Sequence, residues 1–332
     1  MRIAVDAMGG DFAPREIVAG AVKAAARFDS IKRLSLVGNK DLIERELMKF
    51  PKRPASIEVV HASETIEMHD PPAQAVRRKK DSSIGRAVDM VKNGDAEAVV
   101  SAGNTGACVV AATLKLRTLD GVGRPAIAAV LPTQDRPVVL IDAGANIECD
   151  AELLTQFAAM GSVYSRHILG RSEPVVGLLS IGEEDVKGND ATKEAFHSLS
   201  RSHLNFRGNV EGHDLFEGQT DVVVCDGFIG NIVLKTSESA ASAIGHWLKQ
   251  EVRRTPIRTL GALLLRGAFR AMKLKMDPEL TGGALLLGAR GVCILGHGSS
   301  SSLAIFHAIR TAADSIGHHL NDHIVEECAR LE

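Results

Sequence analysis

The chain has 332 residues, of which 45% are apolar, 24% charged and only 4% aromatic, and its formal net charge is −2. This is the composition of a globular protein with an aliphatic core, and so small a net charge gives no footprint for nucleic acid. Five cysteines (Cys108, Cys149, Cys225, Cys293 and Cys328) stand far apart with no C-x-x-C pair, which excludes a zinc ribbon and fits a reducing compartment. Met1 runs directly into an apolar strand with no basic and apolar leader, and no window approaches 18 consecutive apolar residues. The expectation is a cytoplasmic protein without a spanning helix.

In chain order, Arg2 to Asp6 reads as a strand, Ala7 to Asp11 as a loop, and Pro14 to Arg27 as a helix with proline in its first turn. Leu34 to Gly38 is a second strand, capped into a helix at 40–49 by Asn39, and Ile57 to Val60 is a third. Asp70-Pro71-Pro72 opens a basic helix, Arg77-Arg78-Lys79-Lys80, read as a solvated face or as a docking patch for an acidic partner. Ala96 to Ser101 is a strand linked by Ala102-Gly103-Asn104-Thr105-Gly106-Ala107 to a small-residue helix. That linker is neither a P-loop nor G-x-G-x-x-G, but it suits an anion nest at a helix start as well as a plain tight turn. Two strands, Ala126 to Leu131 and Val138 to Ile141, form a hairpin-like excursion. The second ends in Asp142-Ala143-Gly144-Ala145-Asn146 before a helix at 150–169.

The strand Val175 to Leu179 ends in the odd loop Ser180 to Asp190, in which three acids precede a single lysine, Lys187. A solvated acidic loop is one reading. The other is a lysine held by neighbouring carboxylates and aimed at an anionic substrate, with Gly188 allowing close approach. Strands at 205–210 and 222–225 follow, and the second leads through Asp226-Gly227-Phe228-Ile229-Gly230-Asn231 into a long helix. Gly291 to Leu295 ends in Gly296-His297-Gly298-Ser299-Ser300 and a terminal helix from about Leu303. Alternating strands and helices predict a mostly parallel sheet with helices on both faces. In a parallel sheet, all six polar strand-end loops would share one edge, where such folds bind ligands.

No G-x-S-x-G elbow and no H-E-x-x-H motif are present, and His319 and His323 read as surface histidines. Cys225 and Cys293 end apolar strands and read as small apolar fillers rather than nucleophiles. The loops are rich in donors, which suits anion binding and oxyanion stabilisation without a covalent intermediate. In Thr255 to Met276, Leu260, Leu263, Leu264, Ala268, Ala271 and Met272 mark one broad helical face. Arg266, Arg270 and Lys273 mark the other, with Phe269 and Lys275 off pattern. This is either a core-facing helix or an interfacial membrane segment.

Six ordered motifs together resemble the PlsX family, the acyl-carrier-protein:phosphate acyltransferases of bacterial phospholipid synthesis. They are Ile3 to Asp11, Ser101 to Ala107, Asp142 to Asn146, Ile181 to Asn189, Gly227 to Asn231 with Leu234-Lys235-Thr236, and Gly296 to Ser300. The resemblance implies a Rossmann-like α/β/α sandwich with a mostly parallel sheet, akin to the isocitrate and isopropylmalate dehydrogenases and the phosphotransacetylases. It would form one domain over 1–332 with a protruding amphipathic helical segment at 251–277. The implied reaction takes a long-chain acyl group from acyl carrier protein to inorganic phosphate. A homodimer and peripheral membrane association are also implied, with the downstream glycerol-3-phosphate acyltransferase as a candidate partner; no metal, cofactor or nucleotide is implied. Lys187, Asn231 and His297 are the expected catalytic residues: lysine for phosphate or developing charge, asparagine as oxyanion donor, histidine to orient phosphate or protonate the leaving thiolate. Asp6, Gly9, Gly10, Ser101, Gly103, Asn104, Thr105, Asp142, Asn146, Asn189, Gly230 and Ser299 are expected to bind substrate or phosphate. Leu260, Leu263, Leu264, Arg266, Phe269, Arg270 and Lys273 are expected to contact the membrane. A short-chain phosphotransacetylase using acyl-CoA, a nicotinamide-dependent dehydrogenase and a non-enzymatic membrane adaptor remain as alternatives. The dehydrogenase lacks its glycine fingerprint and metal-binding aspartates, and the adaptor leaves the six loops unexplained.

Overall fold

A computed structural model describes residues 1–331, except for the side chains of Lys273, Met276 and Pro278. The first part of the chain alternates strand and helix: β1 (Arg2–Asp6), α1 (Arg15–Arg27), β2 (Arg33–Gly38), α2 (Lys40–Leu47) and β3 (Ile57–His61). Two short helices, α3 (Pro72–Arg78) and α4 (Ser83–Lys92), precede β4 (Ala98–Ser101) and α5 (Thr105–Lys115). Asn39, Ser82 and Asn104 start α2, α4 and α5 by accepting backbone N–H bonds, which satisfies donors that a helix start leaves open. The hairpin is β5 (Ala126–Leu131) and β6 (Val138–Ile141), which pair antiparallel. Then come α6 (Ala151–His167), β7 (Val176–Leu179), α7 (Asp190–Arg201), β8 (Phe206–Val210) and β9 (Val222–Val224). Three helices follow, α8 (Gly227–Val252), α9 (Pro256–Leu264) and α10 (Arg266–Met276). The chain closes with β10 (Ala284–Leu287), β11 (Val292–Leu295), α11 (Ser302–Gly317) and α12 (Leu320–Ala329).

All eleven strands join one sheet in the order β3-β2-β1-β4-β11-β10-β5-β6-β9-β7-β8. The strands are nearly all buried on both faces, as the continuous apolar runs required. Their side chains alternate between two layers. Ile3 and Val5 of β1 pack with Ile17 and Val18 of α1 and Ile305 and Ile309 of α11. Ala4 of the same strand joins the layer of Val88 and Ala111 from α4 and α5. This is the expected α/β/α sandwich.

The helical excursion departs from the rest. Only Gly227 and Gly230 of the 26 residues of α8 are buried, and no residue of α9 is. Trp247 (62% exposed), Ile257 (84%) and Leu264 (80%) show their side chains to solvent. The core-facing reading of 255–276 is therefore overturned. So is the single helix: the chain turns at Leu265 (φ −88°, ψ 8°), and Leu260, Leu263 and Leu264 do not share one continuous face with Phe269. The side chain of Lys273, expected on the basic face, lies outside the described residues. Among the described residues, no helix is long and apolar enough to cross a membrane.

Candidate active site

The six polar loops do not share one edge. β11 and β10, β10 and β5, and β5 and β6 all pair antiparallel, and three reversals leave the block β6-β9-β7-β8 running opposite to the block β3-β2-β1-β4-β11. The loops after β1, β4 and β11 stand at one edge of the sheet, and those after β6, β7 and β9 at the other. At the usual strand spacing of about 4.8 Å, β11 and β9 lie roughly 19 Å apart across four pairings. Within one chain His297 follows β11 at the first of these edges, and Lys187 and Asn231 follow β7 and β9 at the second. Twist softens the opposition. At roughly 20–25° per pair, the five steps from β1 to β6 turn the strand direction by about 100–125°, and the two edges diverge by only about 55–80°.

The edge after β6, β9 and β7 is built on Asp142. Its Oδ1 accepts N–H bonds from Ile127 (3.0 Å), Gly144 (3.0 Å) and Ala145 (2.9 Å), and its Oδ2 accepts from Asn146 N (2.7 Å) and Nδ2 (2.9 Å). Burial pushes this carboxyl above the usual range, against the pull of those donors. Asn146 also donates to Pro125 O (2.8 Å), and its carbonyl accepts from Gly227 N (2.7 Å), which ties the loop to the start of α8. A side chain at Gly230 would place Cβ 1.8 Å from Asp142 O, so only glycine lets α8 start this close. One turn into that helix, the exposed Asn231 side chain lies against Gly144, where a Cβ would sit 3.3 Å from it.

On the neighbouring strand, the Lys187 loop is anchored by Asn209 Nδ2 donating to Glu184 O (2.8 Å) and by Asn189 capping α7 through Thr192 N (2.9 Å). The stem of Lys187 lies across Gly182, where a Cβ would meet its Cγ at 2.9 Å. The expected carboxylate clamp is absent: among the described residues no acid lies within 4 Å of the Lys187 ammonium, although Glu183, Glu184 and Asp185 share its loop. Beneath the loop, Ser180 Oγ and Asn209 Oδ1 are buried without a partner among the described residues. Such oxygens favour the arrival of a donor.

The opposite edge is tightly closed on itself. Asp6 is buried and accepts from Ser101 Oγ (2.7 Å) and Met8 N (3.2 Å); burial raises its pKa while bonds from Ser83 and Ser101 lower it. Ser101 Oγ also accepts from Gly103 N (3.1 Å). Gly9 packs on Gly103, where a Cβ would come 2.7 Å from the Gly103 nitrogen, and Gly10 (φ 106°) faces Gly298 O. Asn104 caps α5 and gives its amide to the carbonyls of Glu67, Met68 and Asp70 at 3.0–3.2 Å. These residues hold three loops to one another, which corrects the picture of free donors at Ser101, Gly103 and Asn104. Thr105 is exposed at the first position of α5. His297 is also exposed. Its Nδ1 lies 3.2 Å from Ser299 N and 2.8 Å from Ser299 Oγ.

Sequence reasoning missed Ser83, which begins a helix the periodicity did not reveal, and Pro125, whose carbonyl holds Asn146. No motif signals either. It read the thiols correctly. Cys225 and Cys293 are buried, and burial pushes all five cysteines upward, to about 11 for Cys149 and Cys328 and about 12 for Cys293. None is poised as a thiolate nucleophile.

The α/β/α sandwich built from these two opposed blocks is shared with solved phosphotransacetylases. The chain matches EutD phosphotransacetylase from Staphylococcus aureus with a TM-score of 0.60 at 17% identity, over 95% of this chain and 94% of that one. It matches 4-hydroxythreonine-4-phosphate dehydrogenase from Klebsiella pneumoniae with a TM-score of 0.51 at 15% identity, over 96% and 99%. Identity this low speaks to the fold alone. A family model described as "fatty acid synthesis protein" matches residues 1–322. The chain is 46% identical over 327 residues to the phosphate acyltransferase of Thermoanaerobacterium thermosaccharolyticum, covering 98% of this chain and 96% of that one. It is 47% identical over 332 residues to that of Desulfitobacterium hafniense strain Y51, covering 100% and 98%. The chain belongs to this family, the one its six loop motifs resemble, and it is an acyltransferase.

Proposed function

We propose that the protein transfers a long-chain fatty acyl group from acyl carrier protein to inorganic phosphate, yielding acyl phosphate for phospholipid synthesis. The observation that carries this is an unclamped Lys187 on the loop after β7 and an exposed Asn231 amide in the first turns of the helix after β9, the two strands being hydrogen-bonded neighbours. An unpaired ammonium draws phosphate. The Asn231 amide and the positive end of the α8 dipole face the carbon that phosphate attacks. An oxygen of the hydrogen phosphate dianion adds to the thioester carbonyl, and the oxyanion is held by the Asn231 Nδ2–H. The C–S bond then breaks with its electron pair on sulfur, and the phosphate proton passes to that thiolate. No cysteine is required, in keeping with five thiols raised by burial. His297, exposed with Thr105 and Ser299 on the edge after β11 and β4, is assigned the orienting of phosphate or of the leaving thiol rather than the attack itself.

The proposal extends to a homodimer at the membrane surface. Its support is the exposed apolar side chains of Ile244 and Trp247 towards the end of α8, continued by those of α9 and α10, which a single chain does not cover. The decisive variant is Lys187→Ala. Its turnover is expected to fall about 10²–10³-fold, the usual loss for one preorganised electrostatic group. Its unfolding midpoint should stay put, because an exposed loop side chain is worth within about 0.5 kcal/mol of stability. Near-normal turnover in this variant would remove the lysine from the reaction.

A further inference from the structure

Five large apolar side chains stand exposed on the Asp142 and Lys187 loops and on the first turns of α8, which carry Asn231. Ile147 (73% exposed) follows Asn146, and Ile181 (81%) and Val186 (69%) bracket the acids of the Lys187 loop. Phe228 (58%) and Ile232 (51%) sit four residues apart on α8, on one helix face, with Asn231 beside them. The three loops adjoin: Asn146 O and Gly227 N are bonded at 2.7 Å, one residue from Ile147 and Phe228, and β6, β9 and β7 are consecutive in the sheet. We infer that these five side chains form the track on which the substrate's acyl chain lies, and that they set the preference for long chains. This rests on the acyl transfer proposed above.

The chemistry favours a hydrocarbon chain over a second copy of the protein. The apolar residues are interleaved with Glu183, Glu184, Asp185 and Lys187, whereas the core of a protein interface is depleted of charge. A narrow strip with polar flanks suits a flexible methylene chain. It also begins beside the atoms proposed to hold the carbonyl, and a chain leaving that carbon must cross it. Each methylene withdrawn from water is worth about fourfold in affinity, so the preference grows with chain length for as long as the strip continues.

The test compares kcat/KM for palmitoyl and butyryl thioesters of acyl carrier protein, using the full chain with phosphate. The variants are Ile181→Ser, Val186→Ser, their double, and Ile147→Ser. The control is Met48→Ser, at a position 81% exposed just beyond α2. The palmitoyl-to-butyryl ratio is expected to fall at least tenfold in the double variant, mostly through KM, with the KM for phosphate unchanged within about twofold. The ratio in Met48→Ser should stay at the starting value. Ratios within twofold of the unsubstituted protein in every variant would overturn the track. A shift to monomer by sedimentation with an unchanged ratio would also overturn it and assign the patch to contact between copies. If the unsubstituted protein forms no acyl phosphate from any thioester, the transfer reading itself fails, and this inference falls with it.

Discussion

Asp142 sits where turn chemistry and ligand chemistry look alike in a sequence. Two oxygens accept five N–H bonds there, all from within the molecule. Asparagine in its place keeps one acceptor and aims an NH₂ group at N–H donors. At about 1–3 kcal/mol for each of the two donors left unsatisfied, Asp142→Asn should lower the denaturant midpoint by an amount equal to about 2–6 kcal/mol. An unchanged midpoint in urea unfolding would contradict this. The same ambiguity explains why Asp6, Ser101, Asn104 and Asn146 were legible as special but not as structural. Small polar residues cap helices and bind anions with the same atoms. Lys187 and Asn231 differ in the structure, because their polar ends meet no partner among the described residues.

Asn39 and Asn104 cap the helices their positions announce, whereas Asn189, expected to bind substrate, and Asp226 turn out to cap α7 and α8. The α9–α10 excursion was legible as amphipathic, but its break at Leu265 was not, because no glycine or proline marks it. Leu260→Ser/Leu263→Ser/Leu264→Ser is expected to abolish co-flotation with anionic liposomes while leaving the protein folded; flotation at the original level would return the leucines to another role. A second element carries a pH signature. The rings of His167 on α6 and His323 on α12 stack at 4.0 Å. So His323 is no simple surface histidine, whereas His319 is largely exposed. Burial first, then His323, Arg166 and His318, depress the His167 pKa, with Glu327 opposing. A histidine whose pKa is lower in the folded chain than its ordinary 6.5 supports the fold fully above that value. That support is lost as pH falls from there through the folded pKa. His167→Phe keeps the stack without the proton, so its unfolding temperature should fall less between pH 7 and pH 5 than that of the unsubstituted protein. Equal losses would rule out this pair as the source.

On the scale of the whole molecule, the sandwich was legible because buried strands and intervening helices have distinct periods. The arrangement of the loops was not. β10 is a four-residue run, Ala284 to Leu287, close to the more obvious β11, and it passed unnoticed in the sequence. With β5 and β6 it reverses the sheet an odd number of times, and this splits six loops that a purely parallel sheet would gather. One chain therefore presents two polar edges, one closed by its own hydrogen bonds and one open around Lys187 and Asn231. Two openings lie away from this centre: an open trough of about 520 Å³ along α8 beside Trp247, and a cleft of about 200 Å³ beside Arg166 and His203. The most direct test of the account is to incubate the purified protein with palmitoyl-acyl carrier protein and labelled phosphate, and to trap the product with hydroxylamine. Palmitoyl hydroxamate that forms only with phosphate, matched by released carrier thiol, is the predicted result. Thiol release without phosphate-dependent hydroxamate would contradict acyl transfer to phosphate.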